Sequence, residues 1–254
     1  MSFQHRRTQR RAVIATIIVV VVVILIATPL LFLPKLRLEV GYKLHLAPGA
    51  DATQIFPGDA AAELIVLVEQ VPVKLSLPTS RYHAVAIAER TGTAITLHDI
   101  NRDRTLSIPL QTYDFIAASA DRSALLFVDH ESASQPKAVF VNLATGEVRP
   151  LPPGQTNPGV PGNWDQDVAG AQIDCSGVSP QSHWVACLVE RKAGLSRFVF
   201  GDWELRVAPY GNVKKQQSVF RGRGTIPIVG WSNDERWLYA QNETGIWRIP
   251  VPAP

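Results

Sequence analysis

The sequence predicts an all-β domain carried behind one N-terminal transmembrane helix. Three observations predict it. Residues 12–33 form an uncharged apolar run. Beyond residue 33, short segments rich in Val, Ile, Leu and Phe recur between turn residues. None of those later segments carries a convincing helical period.

The apolar run, Ala12 to Leu33, is 22 residues long. About 20 apolar residues at ~1.5 Å rise cross a bilayer core as a helix. Backbone polar groups in lipid must bond internally, so the β-branched block Ile17 to Ile24 is expected to be helical there. Pro29 lies about one turn from the end, where a kink costs little. Arg6, Arg7, Arg10 and Arg11 precede the run without any acid. Positive flanks stay cytoplasmic. The expectation is a cytoplasmic tail at 1–11, a helix in the bilayer at 12–33, and residues 34–254 outside, in periplasm or extracellular space. A cleaved signal peptide fits less well. Its apolar region is ~7–15 residues and it ends in small residues, whereas this run ends Pro29-Leu30-Leu31-Phe32-Leu33.

The chain has formal charge +3. Four of its 25 basic residues and none of its 22 acidic ones lie in residues 1–33, so the remainder is −1. That leaves no domain-wide basic field, and nucleic acid is not expected as a partner. The cluster Lys214, Lys215, Arg221, Arg223 reads as a solvated edge.

Residues 34–62 read as a tether, with Pro48-Gly49 and Pro57-Gly58 turn signals. Leu36 to Leu46 alternates and could form a strand. Residues 63–254 read as one domain with a sizeable core. Strands are expected at Glu63–Gln70, His83–Glu89, Ala94–Ile100, Thr105–Leu110, Leu125–His130, Ala138–Leu143 and Glu147–Leu151. The series resumes at Trp184–Glu190, Arg197–Phe200, Glu204–Ala208, Ser218–Phe220, Ile226–Trp231, Trp237–Gln241 and Gly245–Val251. Pro150 to Asp167 is a Pro/Gly-rich loop.

Three segments share a frame: Ala118-Ser119-Ala120-Asp121-Arg122-Ser123-Ala124, Val178-Ser179-Pro180-Gln181-Ser182-His183-Trp184 and Trp231-Ser232-Asn233-Asp234-Glu235-Arg236-Trp237. A serine opens a polar turn and an apolar strand comes next. The serines are 60 and 53 residues apart. The frames, with Ile246-Trp247-Arg248-Ile249 after the third and Phe140 to Glu147 after the first, resemble the repeats of TolB-type, WD-repeat-like β-propellers. The resemblance covers roughly residues 80–250 and implies a small or irregular propeller of about four blades. A β-sandwich is the structural alternative. The glycine that ends the family's turn is missing, replaced by Arg122, Ser182 and Glu235.

Closure of such a ring requires a strand for the last blade, because the chain stops at Pro254. Glu63–Gln70, apolar on both faces, is expected to supply it. On that expectation residues 47–58 could be removed at little cost.

Cys175 and Cys187 lie six residues either side of Gln181 and are expected to form a disulfide in an oxidising compartment. Catalytic motifs are missing: there is no G-x-S-x-G elbow and no glycine-rich phosphate loop. The sequence assigns no catalytic residue, cofactor or metal site. Two cysteines are too few for zinc, and Asp165-Gln166-Asp167 lacks the rest of a calcium loop. His45, His83, His98, His130 and His183 read as surface or half-buried residues. Trp184 and Trp237 share a repeat position and read as core. Trp164 and Trp203 fall outside the frame and are expected to be exposed partner contacts. The functional expectation is a membrane-anchored binding or scaffold protein with a protein partner in the envelope. The alternative is a small-ligand sensor or enzyme with its site in a central channel.

Overall fold

The computed structural model describes residues 51–70, 80–130, 136–152, 164–165, 177–190 and 201–252. These all fall within a compact unit spanning Asp51–Pro254. No helix among the described residues is long and apolar enough to cross a membrane. The expected anchor at 12–33, the possible strand at Leu36–Leu46 and the expected strand at Arg197–Phe200 lie outside them.

Seventeen strands and one short 3-10 turn make up the described elements. The first, β1 (Thr53–Pro57), precedes the meanders. Then β2 (Ala62–Gln70), β3 (Ser80–Thr91), β4 (Ala94–Asp99) and β5 (Arg104–Ile108) form an antiparallel meander. A second meander contains β6 (Phe115–Ser119), β7 (Ala124–Asp129), β8 (Lys137–Asn142) and β9 (Val148–Leu151). The two-residue β10 (Trp164–Asp165) adds to the outer edge of β6. The third meander is β11 (Gly177–Val178), β12 (Trp184–Glu190), β13 (Trp203–Pro209) and β14 (Gln217–Gly222). The fourth has β15 (Ile228–Trp231), β16 (Trp237–Asn242) and β17 (Gly245–Pro250). The protein is thus nearly all β, in units of the kind that build propeller blades.

Alternation decides which faces are buried. Strand β4 reads half-buried, buried, half-buried, buried along its length, as a sheet with one covered face requires. Strand β7, Ala-Leu-Leu-Phe-Val-Asp, is buried at every position and is covered on both faces. Ile65, Leu67, Ile95, Leu97 and Ile108 of the first meander pack against Ile116, Leu125, Phe127, Val139 and Val141 of the second. Leu126, Val128, Phe140 and Leu151 fill the other face of the second meander. Between the third and fourth meanders, Trp203, Phe220 and Trp247 stack in series at 5.7 and 5.4 Å between ring centroids.

The first, third and fourth meanders join at β3. One edge of this 12-residue strand pairs with β2 throughout. The other edge is shared. Ser80 and Arg81 pair in parallel with Gly177 and Val178 of β11, His83 pairs in parallel with Trp231 of β15, and Ala86–Thr91 pair with β4. The buried Trp231 indole donates to the Gly177 carbonyl at 3.1 Å and so ties β15 to β11. A Cβ on Gly230 would lie 2.9 Å from the Ala84 nitrogen, so only glycine lets β15 come this near β3.

Closure of the last meander differs from the expectation. Glu63–Gln70 pairs with β3 in the first meander, not with the last. The last meander takes its outer strand from β1, inside the stretch read as a tether, through Thr53↔Arg248, Gln54↔Trp247, Phe56↔Ile246 and Pro57↔Gly245. The reason is geometric. β2 is apolar on both faces and demands cover, which the strands around β3 provide. β1 is largely exposed and suits an outer edge. Its seat depends on Gly245, at φ +132°, where a Cβ would fall 2.1 Å from the Phe56 carbonyl oxygen.

Gly245→Ala should therefore push β1 from β17. A loss of about 2 kcal/mol is expected from the strained φ and the clash, or roughly 5 °C in melting temperature. Deleting residues 51–58 should cost at least as much. Calorimetry checks both, and an unchanged melt in either would show β1 to be dispensable.

Candidate binding site at the repeat turns

The three repeat frames fold alike. The carbonyl oxygens of Ser119, Ser179 and Ser232 accept from the nitrogens of Arg122, Ser182 and Glu235 at 2.8, 2.9 and 3.0 Å. Their hydroxyl oxygens accept from the nitrogens of Ala124, Trp184 and Trp237 at 2.9, 3.0 and 3.1 Å. Side chain and main chain of one serine thus close both ends of each turn. The third residue after each serine lies in the left-handed region: Arg122 at φ 56°, Ser182 at 63° and Glu235 at 57°. A non-glycine residue there costs roughly 1–2 kcal/mol.

Each of these side chains reaches another unit. Arg122 Nη2 meets Glu69 Oε2 at 3.2 Å. Ser182 Oγ accepts from Arg81 Nε and Nη2, both at 3.1 Å. Glu235 accepts the Gln181 amide at 2.6 Å and pairs with His183 Nδ1 at 2.8 Å. The Asn233 nitrogen donates to Asn101 Oδ1 at 2.9 Å, and Asn101 Nδ2 donates to the Ala84 carbonyl at 3.1 Å. The turns of the second, third and fourth meanders are stitched in this way to the first.

Glu69, on β2, is the meeting point. Its Oε2 takes Arg81 Nη1 at 3.3 Å, His83 Nε2 at 3.3 Å and Arg122 Nη2 at 3.2 Å. Burial by itself raises the Glu69 carboxyl, but Arg122, His83 and Arg81 together outweigh it and hold it below its ordinary 4.5. Burial and then the Arg122 guanidinium push the His83 imidazole below its ordinary 6.5, against the pull of Glu69 and Asn233. A carboxylate so well satisfied is a weak base, and a neutral imidazole beside two guanidiniums is held as a donor.

Beside the turns of the third and fourth meanders lies an open groove of about 570 Å³. Trp184, Pro209, Val251 and Pro252 supply apolar lining, with Asp234 and Arg236 also on its wall. The Arg236 side chain is 81 % exposed.

The residues expected to matter from sequence fall elsewhere. Trp203, expected as an exposed contact, is 1 % exposed and lies flat over Gly222, its cross-strand neighbour, where a Cβ would fall 1.9 Å from the indole ring. That expectation is corrected: the missing side chain at Gly222 makes the slot that buries the indole. The backbone of Trp164 lies in β10, while its side chain is outside the described part. Cys187 is fully buried on β12, and Cys175 lies outside the described residues. The pairs Gly177↔Ala186 and Val178↔Val185 centre that hairpin between Gln181 and Ser182, not on Gln181. Trp184 is buried, and Trp237 is half-buried beneath the Arg248 guanidinium at 4.5 Å. Sequence reading does not pick out Glu69, Arg81 or His83 as site residues. The signal it does hold is the turn glycine replaced by Arg122, Ser182 and Glu235. No group of three or more metal-binding side chains occurs among the described residues.

No family model matches the chain, and no characterised protein matches it in sequence. Solved structures similar to it include TolB from Acinetobacter baumannii, at 10 % identity over 74 % of this chain and 63 % of that one, TM-score 0.24. The β-propeller domain of the Trilobed protease from Pyrococcus furiosus is similar at 10 % identity over 69 % and 64 %, TM-score 0.19. Hydrazine synthase from Kuenenia stuttgartiensis is similar at 11 % identity over 62 % and 47 %, TM-score 0.21. The chain spans less than two thirds of the length of each. The all-β architecture stands on the strand pairing itself.

The two shifted groups make the hub sensitive to acid. Unfolded chain takes up a proton at His83 as pH falls through 6.5, before the folded protein does, so stability drops below that pH. Glu69 adds a second loss as pH falls below 4.5 and through its lower folded value. Thermal melts should fall with pH below 6.5, and His83→Gln should flatten the upper part of that decline. A wild-type curve flat from pH 7 to the carboxylate range would contradict the neutral, buried state of His83.

Proposed function

We propose that the chain is a membrane-anchored binding protein of β-propeller type, held outside the cytoplasm, whose turn face receives a protein partner in the envelope. The observation that carries this reading is a groove with apolar walls and a charged rim beside the turns of the third and fourth meanders, two of the three repeat turns that each hold a residue in a strained conformation. Strain of this kind persists where the surroundings over-determine it, commonly at binding surfaces. The apolar run 12–33 and its preceding arginines support the placement. Glu69, whose Oε2 is shared by three donors that hold the carboxyl ionised, favours binding over proton transfer.

A small ligand is the second reading, favoured by a groove volume in the small-molecule range of about 300–1,000 Å³. A site in a central channel has less support. Where β11 and β15 meet β3 they are hydrogen-bonded edge to edge, which leaves no room between them.

Full-length protein solubilised from its native membrane should carry a stoichiometric protein partner. Arg236→Glu and Pro252→Arg, both at the groove, should reduce partner recovery about tenfold, ~1.4 kcal/mol, with melting unchanged within roughly 1 °C. Full recovery in both variants would reject the groove as the docking surface. Loss of a bound small molecule instead of a protein would favour the second reading.

The placement has its own test. Protease added outside the cytoplasmic membrane should clear residues 34–254 and spare 1–11. Peptide mapping without reductant should recover Cys175 joined to Cys187. Mature protein starting near residues 28–34, or both thiols free in material from the native compartment, would count against it.

A further inference from the structure

The hub around Glu69 holds more hydrogen-bond donors than acceptors. An arginine carries five N–H donors, in a planar fork that matches two oxygens. The fork of Arg81 formed by Nε and Nη2 ends on one hydroxyl oxygen, Ser182 Oγ, at 3.1 Å from each nitrogen. Arg122 reaches Glu69 through Nη2, and three donors share the single oxygen Oε2 at 3.2–3.3 Å. These distances are at or just beyond the long end of ordinary N–H···O bonds, as expected when one oxygen is divided among several donors. Asp121, the acid nearest Arg122 in sequence, is turned back on its own turn. Its Oδ1 accepts from the Ser119 hydroxyl at 2.6 Å and the Ser123 nitrogen at 3.1 Å, and its Oδ2 accepts from the Ser123 hydroxyl at 2.9 Å.

The hub is also within reach of solvent. The side chains of Arg81 and Arg122 are 30 % and 28 % exposed. Arg122 and Ser182 both stand at left-handed positions where glycine would relieve the backbone. Among the described residues the Arg122 guanidinium engages Glu69 through Nη2 alone.

We propose that Arg81 and Arg122 form a receptor for the carboxylate of an acidic side chain on the partner protein. This rests on the turn face being a docking surface and names the chemistry it reads. The two oxygens of a carboxylate displace Ser182 Oγ and give Nε and Nη2 of Arg81 one acceptor each, where they now share that hydroxyl. They also take the donors of Arg122 that Glu69 does not engage. Glu69 then serves as the resident counter-ion that holds both guanidiniums in place while the site is empty of partner.

Calorimetric titration of the full-length protein in detergent with a capped tri-aspartate peptide tests this. A capped tri-asparagine peptide and inorganic phosphate are the comparison probes. The acidic peptide should bind and the neutral one should not. Arg122→Gly should weaken binding by about tenfold or more, with a melt within roughly 3 °C of wild type, because relief at φ 56° offsets loss of the Glu69 pair. Arg122→Lys should fall between, since it keeps the charge and loses the fork. Absent binding to wild type, equal binding by Arg122→Gly, or equal binding of the neutral peptide would overturn the proposal. So would binding of phosphate in preference to the peptide. A partner that co-purifies equally with wild type and Arg122→Gly would overturn the receptor and leave the docking role standing. Peptide binding without any co-purifying partner would do the reverse.

Discussion

One strand edge organises this protein. Each β-strand offers hydrogen bonds on two edges, and β3 divides its second edge among β11, β15 and β4. Three chain segments far apart in sequence are thereby brought against one strand edge, Ser80 to Thr91. Strands at such a crowded junction cannot carry large side chains on every position. The strands that pair in parallel with β3 there accordingly read Gly-Val and Ile-Val-Gly-Trp. Gly230 meets Ala84 with no space for a methyl group, and the Trp231 indole bridges β15 to β11 where a carbonyl needs a donor.

The polar turns arise from the same junction. Each inner strand leads into the next through a serine turn, so crowding the inner strands also crowds the turns. Polar groups brought together and partly buried must be hydrogen-bonded, or each costs of order 1–3 kcal/mol. Arg122, Ser182 and Glu235 meet that demand by reaching across to neighbouring units from positions where glycine would be easier on the backbone. The resulting network ties four meanders at one end and presents charge beside an apolar groove. Rigid placement of polar groups next to apolar surface is the ordinary character of a recognition site.

Sequence reasoning locates the outer strands well because they obey its signals. Strand β12 is expected at Trp184–Glu190 and occupies those residues, and most others end within a few residues of expectation. The same reasoning passes over β6 and β11 because alanine, serine and glycine carry no β signal. Those residues are there for close approach, not for propensity. Trp203 looks available because it sits outside the repeat frame. Its burial depends on Gly222 across the sheet, a partner that no local pattern announces. The hub is half legible. Arg122, Ser182 and Glu235 are visible as replacements of a turn glycine, whereas Glu69, Arg81 and His83 look like ordinary strand residues until pairing brings them there.

Local sequence suffices for the β content, the three serine turns and the position of most outer strands. Those depend on contacts between near neighbours: alternation along a strand, and a serine bonding to a backbone a few residues away. Which strand closes the last meander is settled only in three dimensions, where β1 is taken over the more apolar β2. Both have backbone groups to offer, and pairing strength alone does not separate them. Cover separates them. β2 needs apolar neighbours on two faces and finds them beside β3, leaving the exposed edge of β17 to a strand that tolerates water. The hub is set in the same way, since Glu69 meets Arg122 only after two separate sheets have been packed together.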